Sequence, residues 1–292
     1  MTAAPRFDLQ SHSRHSDGAL SPSEVVAAAA AAGVELMALS DHDNVDGVPE
    51  AARAAAGAGI RLVPAVEITA IDGKYADLHV LGYLVDPLDA TLLERLAGYR
   101  GQREGRADQI VARIRELGFE VDESILDARK AQGKSIGRPH IAQSVVSHPG
   151  NAERLAAEGH SELTPFLVAY LIDGKPAFVP REGPSVAEAI ETIHDAGGVA
   201  VWAHPFWDIP EDDGVLDAID RFRASGLQGV ECFYPTHSEA QTRLLVGRCG
   251  ELGLLTTGSA DFHGPEHRQF SAFRAFSTYG LEPHLGPIAE VS

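Results

Sequence analysis

The chemistry-bearing residues are densest between Phe7 and Gly18, where F-D-L-Q-S-H-S-R-H-S-D-G brings Asp8, Gln10, His12, His15 and Asp17 close together. The apolar start at Phe7 and Leu9 reads as a short buried strand. Alternate residues of a strand project to one side, which predicts a shared face for Asp8, Gln10 and His12. Imidazole and carboxylate groups fixed on a rigid element are what a metal ion takes. A polar strand end with hydrogen-bonded histidines explains the same residues more plainly, so the rest of the chain must decide.

The pattern recurs. Leu36–Leu39 runs into Ser40-Asp41-His42-Asp43, and Val63-Pro64-Ala65-Val66 ends in Glu67. His79 lies inside the apolar run Leu78–Leu84, His204 follows Val199–Ala203, and Glu231 follows Gly229-Val230. The last apolar run leads to Asp261-Phe262-His263. One buried histidine is ordinary, but so many ionisable groups together would cost several kcal/mol each unless paired or metal-bound. Donors without thiolate suit Zn, Mn or Fe, and their abundance points to two or three divalent ions, with the two oxygens of Glu67 as the natural bridge.

These residues need elements to position them. Seven apolar segments read as strands, at about Phe7–Leu9, Glu35–Leu39, Arg61–Val66, Leu78–Leu84, Val199–Ala203, Leu227–Phe233 and Leu254–Thr257. Helical stretches alternate with most of them. Pro22–Ala32 is one such stretch, with Ser21 as N-cap and Gly33 at its end. Such alternation predicts parallel pairing and an α/β fold, a closed or nearly closed β/α barrel. Asp89–Pro180 breaks it with helical patterns alone. The expected layout is a first barrel part at 1–99, a helical insertion at 100–181 and a second barrel part at 182–292. Because barrel sites form at the carboxyl ends of strands, an insertion there is placed to cap the site.

Composition narrows the partners. The 292 residues, 44% hydrophobic and 23% charged, are ordinary for a globular protein. A formal charge of −18 argues against a broad nucleic-acid surface, though not against a local basic pocket. No apolar run has the length of a membrane span, Met1–Arg6 lacks the marks of a secretory signal, and Cys232 and Cys249 make no disulfide framework. A cytoplasmic setting without membrane attachment is expected. The basic residues gather in the insertion. Arg103 falls near the helix stripe of Ile110, Ile114 and Leu117, with Arg106 at its flank. Lys134-Ser135-Ile136-Gly137-Arg138-Pro139-His140 places a cation, a hydroxyl and a guanidinium at a helix start, an arrangement suited to phosphate. Lys175 is a further candidate cation. Trp207 and Tyr234 could stack on a base or simply pack.

Taken together, Asp8–Gly18, Ser40–Asp43, Val63–Glu67, His79, Ala203–Pro205 and Asp261–His263 resemble the PHP (polymerase and histidinol phosphatase) family, in particular its nucleoside-bisphosphate phosphatase branch with a helical insertion. The resemblance implies a distorted seven-stranded β/α barrel with a trinuclear metal site. It implies one ion at His12, Glu67 and Asp261, a second at Glu67, His79 and His204, and a third at Asp17, His42 and His263. It also implies phosphate gripping by the G-R-P-H segment, which joins the cations read above in a substrate-binding set of Lys134, Ser135, Arg138, His140, Arg103 and Lys175. The expected activity is metal-assisted hydrolysis of a phosphate monoester of a nucleotide, such as the 3′-phosphate of a nucleoside 3′,5′-bisphosphate. Glu67, Asp261 and His263 would form the catalytic group, with His263 or a metal-bound water protonating the leaving oxygen. Short RNA ends are the alternative substrate. Amide hydrolysis or base deamination on a similar barrel, and a non-catalytic nucleotide-binding module with a weakened site, are the competing readings. One residue departs from the family's opening D-x-H-x-H: Gln10 stands at the first histidine, and its neutral amide predicts a first metal site that is weaker or filled by a harder ion such as Mn or Mg.

Overall fold

The computed structural model describes residues 5–73, 75–131 and 136–291, with Ala76 and Glu104 described by backbone alone. The chain forms two compact units, Met1–Ala97 with Pro184–Ser292, and Gly98–Gly183.

The first unit is built on a seven-stranded sheet in chain order: β1 (Phe7–Asp8), β2 (Leu36–Leu39), β3 (Arg61–Asp72), β4 (Tyr75–Tyr83), β5 (Val199–Trp202), β6 (Gly229–Phe233) and β7 (Leu255–Gly258). The outer strands approach one another beyond β7. Ser11 and Phe262 form a parallel bridge, and the His12 amide donates to the Phe262 carbonyl at 2.8 Å. The sheet is a nearly closed barrel. Its faces follow the two-residue period. Leu36, Ala38, Val63, Ala65, Leu81, Tyr83, Val199 and Val201 fill one cluster, while Met37 and Leu39 face Val25, Val26, Ala29, Ala51 and Ala55. These alanine-rich partners belong to α1 (Pro22–Ala31) and α2 (Val48–Ala58). Ser21 caps α1 as expected, accepting from the Glu24 amide while Glu24 reaches back to Ser21.

Two expectations need correction. Pairing is parallel for β1 to β3 and for β5 to β7, but β4 runs antiparallel to both β3 and β5. β3 and β4 form a hairpin longer than the apolar runs that announce it, because polar Thr69, Asp72, Tyr75 and Asp77 extend the ladder. Glu67 and His79 therefore lie within strands, and Thr69 pairs with His79. The second correction concerns Phe7–Gly18. β1 ends at Asp8, so the two-residue period stops there. Asp8 instead accepts from the amides of Ala260 (2.9 Å) and Arg274 (2.6 Å), fastening the segment that follows β7.

The long helix α3 (Ala90–Glu116) leads from the first unit into the second. The second unit continues with α4 (Glu123–Ala131), α5 (Arg138–Val146), α6 (Ala152–Glu158) and α7 (Leu163–Tyr170) around a core that includes Ile110, Ile114, Phe119, Leu126, Ile141, Val145 and Phe166. No strand occurs among its described residues. The chain then returns through α8 (Val186–Asp195) to β5, with α9 (Pro205–Asp208) and α10 (Asp212–Ala224) between β5 and β6 and α11 (Glu239–Leu252) between β6 and β7. Among the described residues, no helix is long and apolar enough to cross a membrane.

Candidate metal centre

Glu67 is the middle of the site. It continues the face of Val63 and Ala65 on β3, so strand geometry alone carries it into the barrel mouth, where it is fully buried. Each of its oxygens serves a different side. Oε1 lies 2.7 Å from His79 Nδ1 and 3.3 Å from His204 Nε2, and those nitrogens are 3.3 Å apart. Oε2 lies 3.1 Å from His12 Nε2 and 3.8 Å from His42 Nδ1. Burial raises the Glu67 carboxyl, but the imidazoles of His42 and His79 and the contacts from His12 and His204 more than reverse this, holding it well below the usual range.

The other residues arrive from strand ends. His12 Nε2 is 3.0 Å from Asp261 Oδ1. Asp17 lies 3.6 Å from His42 Nε2, 3.5 Å from His263 Nε2 and 3.7 Å from His12 Nδ1. The His12 ring stacks on His42 and His263 at centroid distances of 4.7 and 4.3 Å. Asp43, His204 and Asp261, which follow β2, β5 and β7, all have positive φ (47°, 29° and 55°). For non-glycine residues this is costly backbone, of the kind that persists where surrounding structure enforces it.

Donor atoms of His12, Asp17, His42 and His263, of His42, Glu67 and His79, and of His12, Glu67 and Asp261 each fall within 4.8 Å of one another. Ligand bonds near 2.0–2.2 Å place the donors of one ion about 3–4 Å apart, so this spacing fits. The stronger test is hydrogen bonding. Both ring nitrogens of His12, His42 Nδ1, His204 Nδ1 and Asp261 Oδ1 are buried without a hydrogen-bond partner. Buried polar atoms are normally satisfied. Lone pairs that sit close yet do not pair fit cations shared between them. Burial pushes the His42 imidazole down to about 3, whereas Asp261 and Glu67 raise His12 and Glu67 raises His79 against their burial.

Several residues support these donors in ways their sequence positions did not indicate. Tyr234, a candidate base-stacking ring by sequence, is buried, and its hydroxyl donates to Asp261 Oδ2 at 2.8 Å. Glu231 accepts the His204 amide at 3.0 Å and lies 2.6 Å from Ser259 Oγ. Asp41 accepts from the Ser13 amide and from the hydroxyls of Ser13 and Ser16, each at 2.7 Å, and so closes the loop bearing Asp17. Only the carboxylate after the second strand hinted at Asp41, and nothing in the spacing distinguished it from His42.

The substrate-binding candidates belong to the second unit, and Lys134 and Ser135 lie outside the described residues. Arg138 opens α5 and is partly buried, as is Arg103 on α3, while Lys175 is exposed. Arg106 donates to the Val179 carbonyl at 2.9 Å and is held below its usual range by burial and by the charge of Arg138. His140 uses Nδ1 to accept the Gly137 amide at 3.0 Å, capping α5.

A nearly closed β/α barrel with imidazoles and carboxylates converging at its mouth is the scaffold of a metal-dependent hydrolase. Comparison with known proteins gives the family. Residues 8–132 match the PHP domain. The chain is 34% identical over 262 residues to a 5′-3′ exoribonuclease of Haemophilus influenzae, covering 89% of this chain and 90% of that protein. It is 34% identical over 266 residues to a 3′,5′-nucleoside bisphosphate phosphatase of Chromobacterium violaceum, covering 89% and 87%. A solved structure from Chromobacterium violaceum, titled an amidohydrolase with bound sulfate and no metal, is 31% identical with a TM-score of 0.73, covering 92% of this chain and 91% of that one. The chain belongs to the PHP domain family.

Proposed function

We propose that this protein is a metal-dependent phosphoesterase that removes a phosphate monoester from a nucleotide, with the 3′-phosphate of nucleoside 3′,5′-bisphosphates as the leading substrate. The observation that carries the reading is the set of buried, unpartnered donors around Glu67, His12 and Asp261. His12, Glu67 and Asp261 would hold one ion, Glu67, His79 and His204 a second, and Asp17, His42 and His263 a third, with Mn, Zn or Fe as candidates. Bound there, such ions supply Lewis acidity toward phosphoryl oxygens and toward water.

The chain's own groups do the rest. Glu67 orients both sides of the mouth at once. His263 has its Nδ1 2.7 Å from the Asp261 carbonyl, a contact that fixes the N–H there and turns Nε2 toward the pocket. Burial and the charge of His12 lower the His263 pKa, but Asp17 and Asp261 more than offset them and raise it above its ordinary value. His263 Nε2 would either give a proton to the leaving oxygen or join Asp17 and His42 in holding a third ion. Arg138, with Lys134, Ser135, His140, Arg103 and Lys175, would grip the second phosphate. We place the protein in the cytoplasm, consistent with its buried free thiols at Cys232 and Cys249.

Short RNA ends are the second reading. It is favoured by the equal likeness to an exoribonuclease and by Trp207, which is half exposed with its ring 6.4 Å from that of His204. The same donors would also serve an amidohydrolase, but amide chemistry has no use for the basic G-R-P-H helix start. The test is phosphate release from mono- and bisphosphorylated nucleosides, short 5′-phosphorylated RNA and an amide panel, with Mn, Zn and Fe loaded separately. Bisphosphates should be hydrolysed fastest. Turnover of them no faster than of simple monophosphates removes the substrate assignment, and amide turnover alone removes the phosphoesterase.

A further inference from the structure

Gln10 stands where the family's first histidine would be, and it is 1% exposed. Its Nε2 donates to Glu67 Oε2 at 2.9 Å. A carboxylate only accepts, so the amide must turn its NH₂ toward Glu67 and its oxygen away. That oxygen faces Ser259 Oγ at 3.2 Å. Ser259 Oγ is in turn 2.6 Å from Glu231 Oε1, and Glu231 Oε2 accepts the His204 amide at 3.0 Å. One buried chain of contacts therefore joins Glu67 to the backbone of His204, and these two residues face His79 together.

We propose that Gln10 is a positioning residue that fixes Glu67 Oε2 and is not itself a metal ligand, so that the His12–Glu67–Asp261 group keeps three protein donors and an open position. The inference rests on the metal reading above. An amide NH₂ has no lone pair to give a cation, and the oxygen that has one is held by Ser259 on the far side. Three protein ligands with an open position are the signature of catalytic sites, in contrast with the closed sets of structural ones. In this chain the substitution therefore reserves a place for substrate at the ion nearest Asp261.

The test uses Co²⁺ alone, titrated into the chelator-treated full-length protein and followed by its visible absorption and by competition with a chromophoric chelator. Gln10→Met keeps the side-chain volume and removes the hydrogen bonds. It should bind as many equivalents as the wild type with superimposable bands, because no ligand is lost. Its affinity should fall about 10–100-fold, as for other groups that orient ligands. Gln10→His should alter the bands and tighten binding. Shifted bands or a lost equivalent in Gln10→Met would make Gln10 a ligand and overturn the proposal. So would an unchanged affinity in that variant, or unchanged bands in Gln10→His. Failure of the wild type to take up Co²⁺ would remove the metal reading itself, and that result is visible before any variant is made.

Discussion

Tyr234→Phe isolates one contact of the site with little disturbance to its surroundings. The hydroxyl donates to Asp261 Oδ2 at 2.8 Å, while Oδ1 of the same carboxylate faces His12 Nε2 at 3.0 Å and has no hydrogen-bond partner. The two oxygens thus have separate tasks, one fixed and one offered. The phenyl ring of the variant keeps the packing against His204, His237 and Phe270, whose centroids lie 5.2, 5.4 and 5.8 Å away. What is lost is a hydrogen bond to a buried charge, worth about 1.5–3 kcal/mol. The metal-free protein should lose stability of that order in urea unfolding. Without its anchor, Asp261 must be ordered when the ion binds, and affinity should fall about 10–100-fold, or about 1.4–2.7 kcal/mol. Competition against a chromophoric chelator with Zn²⁺ measures the second quantity. An unfolding midpoint equal to wild type, with affinity within a factor of about three, would refute the division of labour at Asp261.

Other consequences concern the frame around the site. An added Cβ at Gly18 would meet the His12 carbonyl oxygen at 2.2 Å, so Gly18→Ala should destabilise by at least about 1–3 kcal/mol and weaken metal binding; a wild-type denaturation midpoint would show that the loop bearing Asp17 yields freely. Burial raises Asp8 from 3.8 to about 7 against the opposing amides of Arg274 and Ala260. Asp8 is then protonated in the folded metal-free protein and ionised in the unfolded chain between about pH 4 and pH 7, so its own contribution to stability falls as pH rises through that window. Asp8→Asn should flatten this slope in chelator-treated protein, and an equal slope in both proteins would contradict the assignment.

Much of this arrangement was legible because the donors sit at the ends of apolar runs. His42, Glu67, His204 and Asp261 each interrupt hydrophobic sequence at a point where surface residues would not need to, and a barrel converts such points into one mouth. Ser21 and Gly33 likewise bracket α1 through local chemistry that tertiary packing did not override. The β3–β4 hairpin was harder to read. Its extension uses polar residues such as Thr69 and Asp77, and strand direction leaves no trace in periodicity, so the strand bearing His79 read as parallel to its neighbours. Tyr234, Glu231, Asp41 and Asp8 stood out by residue type, but their partners were illegible for another reason. Their work is hydrogen bonding to groups as much as 266 positions away in the sequence, as between Asp8 and Arg274, and a single chain carries no mark of such partners. Gln10 lies between these cases: its departure from the family pattern was evident, but its direction of hydrogen bonding was not.

The account depends most on cations held in common by these side chains. The direct measurement is the Mn²⁺ content, by elemental analysis, of chelator-treated protein reloaded with Mn²⁺ and freed of excess metal, for the wild type and for Glu67→Ala. The account predicts two or three equivalents per chain in the wild type and a loss of at least one in the variant, because Glu67 faces both the His12 and the His79 sides. A wild type that retains none, or a variant that retains the full complement, would contradict it.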